Sequence, residues 1–249
     1  MGRFASSVKY YQRYREPYPA ELFRRASAQM GLTGRERLAD LGCGPAPLAL
    51  GFAPFVGSCT GVDPEPEMIA AAAACAREAG VSLQLVAARM EEFTPGDGPF
   101  DLITIGRALH WFDRKRGLAA LERMLCPNGW IAVCVSVGRR GPLNRWMPVY
   151  NRIRRSYANE PREFRYFFGP ESWFRGSRFR KVAEIRIRER RRLKVADLIG
   201  HALSLSTTSP QALAGRRWEF ERALREGLAP FAQDGVLLQE YVGIAELFQ

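Results

Sequence analysis

Lysine is nearly missing from this chain. Of its 37 basic residues only Lys9, Lys115, Lys181 and Lys194 are lysines, and the rest are arginines. Histidine is scarcer still, at His110 and His201 alone, and the five cysteines (43, 59, 75, 126 and 134) include no C-x-x-C pair. Such spacing excludes a disulfide framework or a structural zinc site as the organising element. No metal is therefore expected, and the reduced thiols point to a cytoplasmic protein. Long apolar runs are also lacking. The longest, around Met68–Ala76, is alanine-rich and too short to cross a bilayer, so no membrane span is expected. The opening segment MGRFASSVKYYQRYREPYP has no apolar core between its charges and aromatics, so it does not read as a secretory signal.

What is present suffices for a folded core. The 249 residues are 47% hydrophobic and 25% charged, an ordinary balance for a soluble globular protein. The net charge of +11 is unevenly placed. Residues 1–138 balance to +1, residues 139–194 carry +13, and residues 195–249 carry −3. Arginine bias and a solvated face would explain part of this, and an acidic ligand or partner near the middle segment would explain the rest.

Strand-like and helix-like segments alternate through the first half. Strands are expected at Arg37–Leu41, Ser58–Val62, Ser82–Val86, Phe100–Ile105 and Trp130–Val137. Helices are expected at Pro47–Val56, Glu67–Glu78 and Arg114–Leu125, the last closed by a turn at Cys126-Pro127-Asn128-Gly129. Short loops between alternating elements imply an open, mostly parallel α/β sheet of Rossmann-like type, with helices on both faces. After Gly138 the pattern breaks into two helical stretches dense in aromatics. Val182–Arg190 then alternates as a strand with one exposed face. Val195–Leu205 and Pro210–Phe231 read as helices and Val236–Phe248 as a closing strand, which makes seven strands. The expected organisation is one domain over 1–249: an N-terminal helical arm (1–34), a ligand-binding core (35–138), a helical cap (139–176) and a C-terminal part (177–249).

The first strand runs into Asp40-Leu41-Gly42-Cys43-Gly44-Pro45-Ala46-Pro47, and the second ends at Gly61-Val62-Asp63-Pro64. Glycines let the backbone turn sharply and let a ligand lie against it. An acid at the end of the second strand is placed to accept from ribose hydroxyls. Glycine turn plus ribose acid indicates an adenosine-containing ligand at the carboxyl ends of the strands. A dinucleotide loop would want glycine at position 47, which is Pro47, and a Walker loop would want a Lys-Ser or Lys-Thr pair, which is absent. Asp40 would repel a pyrophosphate but can receive an ammonium group, so the ligand reads as a nucleoside bearing an amino acid. The alternative for Asp40 is a turn cap.

The run LADLGCGPAPLAL, then GVDPEPEMI, ARMEEF and PFDLITIGRALHWFDR, resembles the class I S-adenosylmethionine-dependent methyltransferases, and most the small-molecule branch that includes the trans-aconitate methyltransferases. The similarity is good over residues 37–137 and loose beyond 139. It extends to the arm, where Tyr11-x-x-x-Arg15-Glu16-Pro17-Tyr18-Pro19 is similar to a signature with proline after the arginine. The resemblance implies S-adenosylmethionine as cofactor and S-adenosylhomocysteine as product. It assigns Asp40, Gly42 and Gly44 to the methionine part, Asp63 to the ribose, and Pro64 and Met68 to the adenine side. It puts Arg89 and Met90 at the adenine edge and Gly106 and Arg107 at the sulfonium, with Tyr11 and Arg15 closing over the cofactor. Two positions depart from the pattern. Ala46 replaces a third glycine, which is tolerable if its φ stays negative, and Glu16 replaces the proline.

His110 stands where the methyl group would be delivered and is the candidate catalytic base for a hydroxyl or enolisable acceptor, with pocket shaping as its other reading. His201 reads as structural. Trp111, Trp146, Tyr150 and Tyr166, with His110, are the candidate acceptor contacts, the aromatics forming a wall over the acceptor or filling the core of the cap. The expected activity is methyl transfer to a small acceptor, anionic or borne by an acidic carrier protein. Two other readings stand beside it. RNA could be gripped by the arginine–aromatic mixture of 139–194, although the fourth strand ends in Ile-Gly-Arg-Ala-Leu-His rather than the Asn-Pro-Pro-Tyr type of run that base N-methyltransferases use. The third is a non-methylating S-adenosylmethionine-binding protein.

Overall fold

The computed structural model describes residues 8–96, 98–158 and 169–249. Helix α1 spans Val8–Tyr14 and α2 spans Ala20–Met30. In α2, Leu22, Phe23, Ala26 and Met30 recur on one face and are buried, and Gly31 ends the helix in the left-handed region at φ 68°. The alternation that follows gives β1 (Arg37–Leu41), α3 (Pro47–Phe52), β2 (Ser58–Asp63), α4 (Pro66–Ala79), β3 (Gln84–Ala87), β4 (Phe100–Gly106), α5 (Arg114–Met124) and β5 (Leu125–Gly138). Then come α6 (Met147–Tyr157), α7 (Pro170–Phe174), β6 (Lys181–Lys194), α8 (Val195–Leu203), α9 (Pro210–Leu213), α10 (Arg217–Leu228) and β7 (Val236–Phe248). The seven strands order as β3-β2-β1-β4-β5-β7-β6.

The four pairings β1–β2, β1–β4, β2–β3 and β4–β5 are parallel. The backbones of Arg180 and Gln249 exchange both hydrogen bonds, so the chain runs antiparallel where β6 and β7 meet. The order reverses at β1, which has β2 on one side and β4 on the other. In open α/β sheets such a reversal marks the usual ligand position, at the carboxyl ends of the strands on either side of it, here β1 and β4.

The chain groups into two compact units. The sheet unit comprises Pro17–Ser136, Phe164–Ile187 and Gly243–Gln249. It has a core on each face, because alternate residues of a strand point to opposite sides. Leu38 and Leu102 pack with α2 and α3 through Leu22, Phe23, Leu48 and Phe52. Ala39, Ile103 and Ile105 pack on the other face with Leu121 and Met124 of α5 and with Phe174, Phe179 and Phe248. Phe52 and Phe174 are essentially inaccessible; truncating either to alanine is expected to cost about 3–5 kcal/mol.

The helical unit comprises Met1–Glu16, Val137–Glu163 and Arg188–Val242. Its core joins Trp146 and Tyr150 of α6 to Leu198, Ile199 and Ala202 of α8 and to Phe220, Leu224 and Leu228 of α10.

Several local expectations are corrected. Cys126–Gly129 does not end the sheet segment. Phe100 pairs with Leu125 and Leu102 with Trp130, so these four residues bulge from β5 opposite Asp101 alone, and the turn chemistry serves the bulge. The expected helix Pro210–Phe231 is broken, since Ala214 and Gly215 both take positive φ between α9 and α10. The expected cap 139–176 is also divided. Helix α6 joins α8 and α10 in the helical unit, whereas α7 belongs to the sheet unit, where Phe174 packs edge-to-face on Phe179 and at a tilt on Phe248. Aromatic residues near one another in sequence thus serve different cores.

Candidate functional site

The site is built on the first βα turn. Backbone N–H groups of Gly42 and Cys43 both donate to Val62 O of β2, at 2.8 and 3.0 Å, which folds the turn across the end of the neighbouring strand. Gly42, Gly44 and Ala46 all lie in the left-handed region, at φ 66°, 54° and 61°. The condition for tolerating Ala46 is therefore not met. The turn still needs a left-handed residue there, and alanine accepts a conformational cost of about 1–2 kcal/mol that glycine would avoid. Gly42 is required for a second reason: a Cβ there would stand 2.5 Å from Ala108 Cβ and 3.4 Å from the Phe112 ring. This close approach brings the loop after β1 against the loop after β4. Gly42→Ala is expected to lower stability by about 2–4 kcal/mol through strain and overpacking, measurable as a lowered melting temperature relative to wild type.

Asp40, at the end of β1, is 1% exposed. Its Oδ1 accepts from Thr104 Oγ1 at 2.9 Å and its Oδ2 from the Ala49 backbone N–H at 3.2 Å. Ala49 is the third residue of α3, so the carboxyl group does cap that helix, in keeping with the alternative reading. A carboxylate offers about four lone-pair positions, so this does not exhaust its capacity for a cation. Burial raises the Asp40 pKa to about 7, despite the opposing hydrogen bonds from Thr104 and Ala49. Asp63, at the end of β2, is also buried. It accepts from the Gly44 N–H at 2.9 Å through Oδ2 and from the Glu65 N–H at 3.0 Å through Oδ1, and burial raises its pKa. Two buried acids thus flank one glycine turn, and no Lys or Arg occurs anywhere between residues 38 and 76. That stretch of chain offers phosphates no counter-charge, whereas its two acids offer acceptors to hydroxyls and an ammonium group. The residues present fit a nucleoside bearing an amino acid.

Around these acids the structure gathers most of the expected contacts. Pro64 is exposed after β2, Met68 is buried on α4, and Met90 is buried beside Val62. Ala88 N–H donates to Asp63 O at 3.2 Å, which ties the end of β3 to the end of β2 and puts exposed Arg89 just beyond it. Gly106 closes β4, where a Cβ would meet Leu48 at 2.8 Å and the Tyr18 hydroxyl at 3.0 Å. Arg107 follows at φ 58°, a left-handed conformation unusual for arginine. His110 is exposed in a short 3-10 turn, its ring 4.7 Å from that of Trp111.

Other expected residues belong to the helical unit. Arg15 lies over the Tyr11 ring at 4.7 Å and donates to Ser204 O at 3.2 Å. Trp146 and Tyr150 are buried in that unit's core, where Trp146 Nε1 donates to Leu238 O. Tyr166 lies outside the described residues.

His201 is the residue whose environment sequence reading missed. Its Nδ1 shares a hydrogen bond of 2.6 Å with the Tyr150 hydroxyl and its Nε2 stands 3.1 Å from Glu16 Oε2. Burial lowers the His201 pKa and raises that of Tyr150. A neutral imidazole carrying its proton on Nε2 satisfies both partners. This gives Glu16, the departure from the arm signature, a partner; the signal available in sequence was only that Glu16 departs from the signature. Among the described residues no cluster of His, Cys, Asp or Glu could hold a metal ion, and no helix is long and apolar enough to cross a membrane.

The fold is an open α/β sheet, and its two buried acids stand at the switch point of the strand order, where an adenosine-type ligand would fit. Residues 39–133 match the family model described as a methyltransferase domain. The chain is 31% identical over 121 residues to the uncharacterized methyltransferase YcgJ of Bacillus subtilis, covering 47% of this chain and 48% of that protein. It is 37% identical over 119 residues to a trans-aconitate 2-methyltransferase of Streptomyces avermitilis, covering 45% and 43%. The matched region spans about half the length of these curated relatives. The fold is shared with a methyltransferase of Geobacter sulfurreducens solved with S-adenosyl-L-homocysteine, at TM-score 0.56 and 14% identity over 100% of this chain and 98% of that one.

Proposed function

We propose that this chain transfers the methyl group of S-adenosylmethionine to an anionic small-molecule acceptor. The observation that carries the reading is the pairing of buried Asp40 and Asp63 around one glycine turn at the carboxyl ends of β1 and β2. In this reading Asp63 accepts from the ribose hydroxyls and Asp40 draws the ammonium group toward the glycine turn. Met68, Met90, Pro64 and Arg89 border the adenine. The bound cofactor supplies an already activated methyl group, so the chain's work is to hold a nucleophile in line, about 3 Å from the methyl carbon, and to exclude water.

An acid as acceptor is supported by the +13 balance of residues 139–194, set against +1 in residues 1–138. The relative named as a trans-aconitate 2-methyltransferase makes small polycarboxylic acids the first acceptors to try. The test is release of S-adenosylhomocysteine with trans-aconitate and related acids, each beside its amide or ester, at low and high salt. Turnover of the acid alone, with a Michaelis constant that rises with salt, supports the reading. Equal turnover of acid and neutral analogue at both salt levels overturns the anionic acceptor.

A carboxylate acceptor is ionised at neutral pH and needs no base. His110→Gln is then expected to raise KM and to leave the acid limb of the pH–rate profile unchanged. A lost limb near pH 6.5, the ordinary histidine pKa, with a large fall in kcat, would instead make His110 a base acting on a hydroxyl or carbon acceptor. The buried or partly buried free thiols are consistent with a cytoplasmic setting.

A further inference from the structure

Resting on the reading above, we propose that Arg107 binds the anionic group of the methyl acceptor and so decides which acceptors are turned over. The +13 segment directs attention first to arginines beyond residue 138. Two of them, Arg186 and Arg190, are exposed and paired with Glu184 and Glu240, which suits steering better than gripping. Arg107 differs from these in backbone, in anchorage and in place.

Its backbone is left-handed at φ 58°, a conformation that bulky residues leave unless their surroundings hold them in it. The surroundings do hold it. The guanidinium carbon stands 4.8 Å over the Tyr18 ring, and Nη2 donates to Ser136 O at 3.3 Å. Tyr18 in turn donates to Cys134 O at 3.3 Å, and Ser136 Oγ donates to Pro17 O at 2.7 Å. The arginine is thereby fastened to the end of β5 and to the segment at residues 17–18 through contacts that all lie within the sheet unit. Stacking engages the face of a guanidinium, whereas a carboxylate is recognised by its in-plane N–H groups, so the two uses are compatible.

Arg107 follows β4 directly, and β4 is the neighbour of β1 on the side away from β2. Asp63 of β2 takes the ribose and Asp40 of β1 takes the ammonium in the proposed reading, so the sulfonium falls toward the β4 side. A fixed cation beside a sulfonium disfavours the cofactor unless an anion lies with them. An acid group on the acceptor, held by Arg107, supplies such an anion. The same contact orients the nucleophile toward the methyl carbon, which is what this reaction requires of the protein. Lysine would not replace the arginine fully, because it lacks the planar fork that pairs a carboxylate bidentately.

The test combines cofactor binding with turnover. Calorimetry on wild type, Arg107→Gln and Arg107→Lys uses S-adenosylhomocysteine and 5′-methylthioadenosine, which lacks the amino-acid part. Turnover is read as S-adenosylhomocysteine release from trans-aconitate and a panel of di- and tricarboxylic acids. Expected for Arg107→Gln is binding of both nucleosides within about threefold of wild type and a KM for the acid raised at least about tenfold, with Arg107→Lys recovering part of it. If Arg107→Gln fails to melt cooperatively, Arg107→Gly removes the guanidinium while relaxing the left-handed backbone. Loss of S-adenosylhomocysteine affinity with 5′-methylthioadenosine unchanged would mean that Arg107 holds the cofactor's carboxylate, and an unchanged KM would mean that the acid is held elsewhere. Either result overturns the proposal and leaves methyl transfer to an acid standing. A wild type that methylates none of the acids overturns the anionic-acceptor reading and this proposal with it.

Discussion

Asp63→Ala is expected to weaken S-adenosylhomocysteine binding at least tenfold, read by calorimetry at neutral pH. The carboxyl group would accept from two ribose hydroxyls, and hydrogen bonds to charged groups contribute about 1.5–3 kcal/mol each without adding fully. A loss of about 2–4 kcal/mol follows. Part of it comes from the loop, because Asp63 also accepts from Gly44 and Glu65. Asp63→Asn separates the two parts, since its amide oxygen can keep one backbone N–H while the charge is lost. Wild-type affinity in Asp63→Ala would remove Asp63 from the cofactor site.

Asp40→Asn is expected to flatten the dependence of stability on pH. In the folded chain the Asp40 pKa is raised to about 7, against an unfolded value of about 3.9. The folded state therefore favours the protonated form. Its contribution is fully present below the unfolded pKa and is lost as pH rises from about 4 through 7. A pKa difference of about three corresponds to about 4 kcal/mol in the fully deprotonated limit, at about 1.36 kcal/mol for each pH unit. Ligand-free wild type should lose melting temperature between about pH 5 and pH 8 relative to Asp40→Asn, whose melting should change little from this source. A cofactor ammonium favours the ionised form of Asp40. Binding near pH 7 should then release a fraction of a proton, visible when calorimetry is repeated in buffers of different ionisation enthalpy. Parallel melting curves for wild type and variant across that range would show that Asp40 ionises without cost in its burial site.

The alternation of elements, the glycine turn and both acids were legible from residue order because the signals are local. A glycine pair after an apolar strand, an acid at the next strand's end and Gly80 closing a helix each report on neighbours within a few residues. The closing strand Val236–Phe248 was readable to the residue for the same reason. Expectations failed where a segment's partner is far away in sequence. Cys126–Gly129 has turn chemistry, yet its flanks pair with Phe100 and Leu102, so it bulges within β5. Trp146 and Phe174 both carry the mark of a buried aromatic, but nothing local says that one packs with α8 and α10 and the other with Phe248.

By itself, then, the sequence determined the α/β class, the number of strands and the position of the glycine turn with its two acids. Periodicity, turn chemistry and charge are properties of contiguous residues, and they suffice for these. Only the tertiary structure decided that Ala46 and Arg107 are left-handed, that Asp40 lies between Thr104 and the start of α3, and that Glu16 meets His201 and Tyr150. Each of these depends on which distant segments burial brings together. Burial also moves the pKa of Asp40 and His201, because desolvation acts on the charged form and is absent from the extended chain.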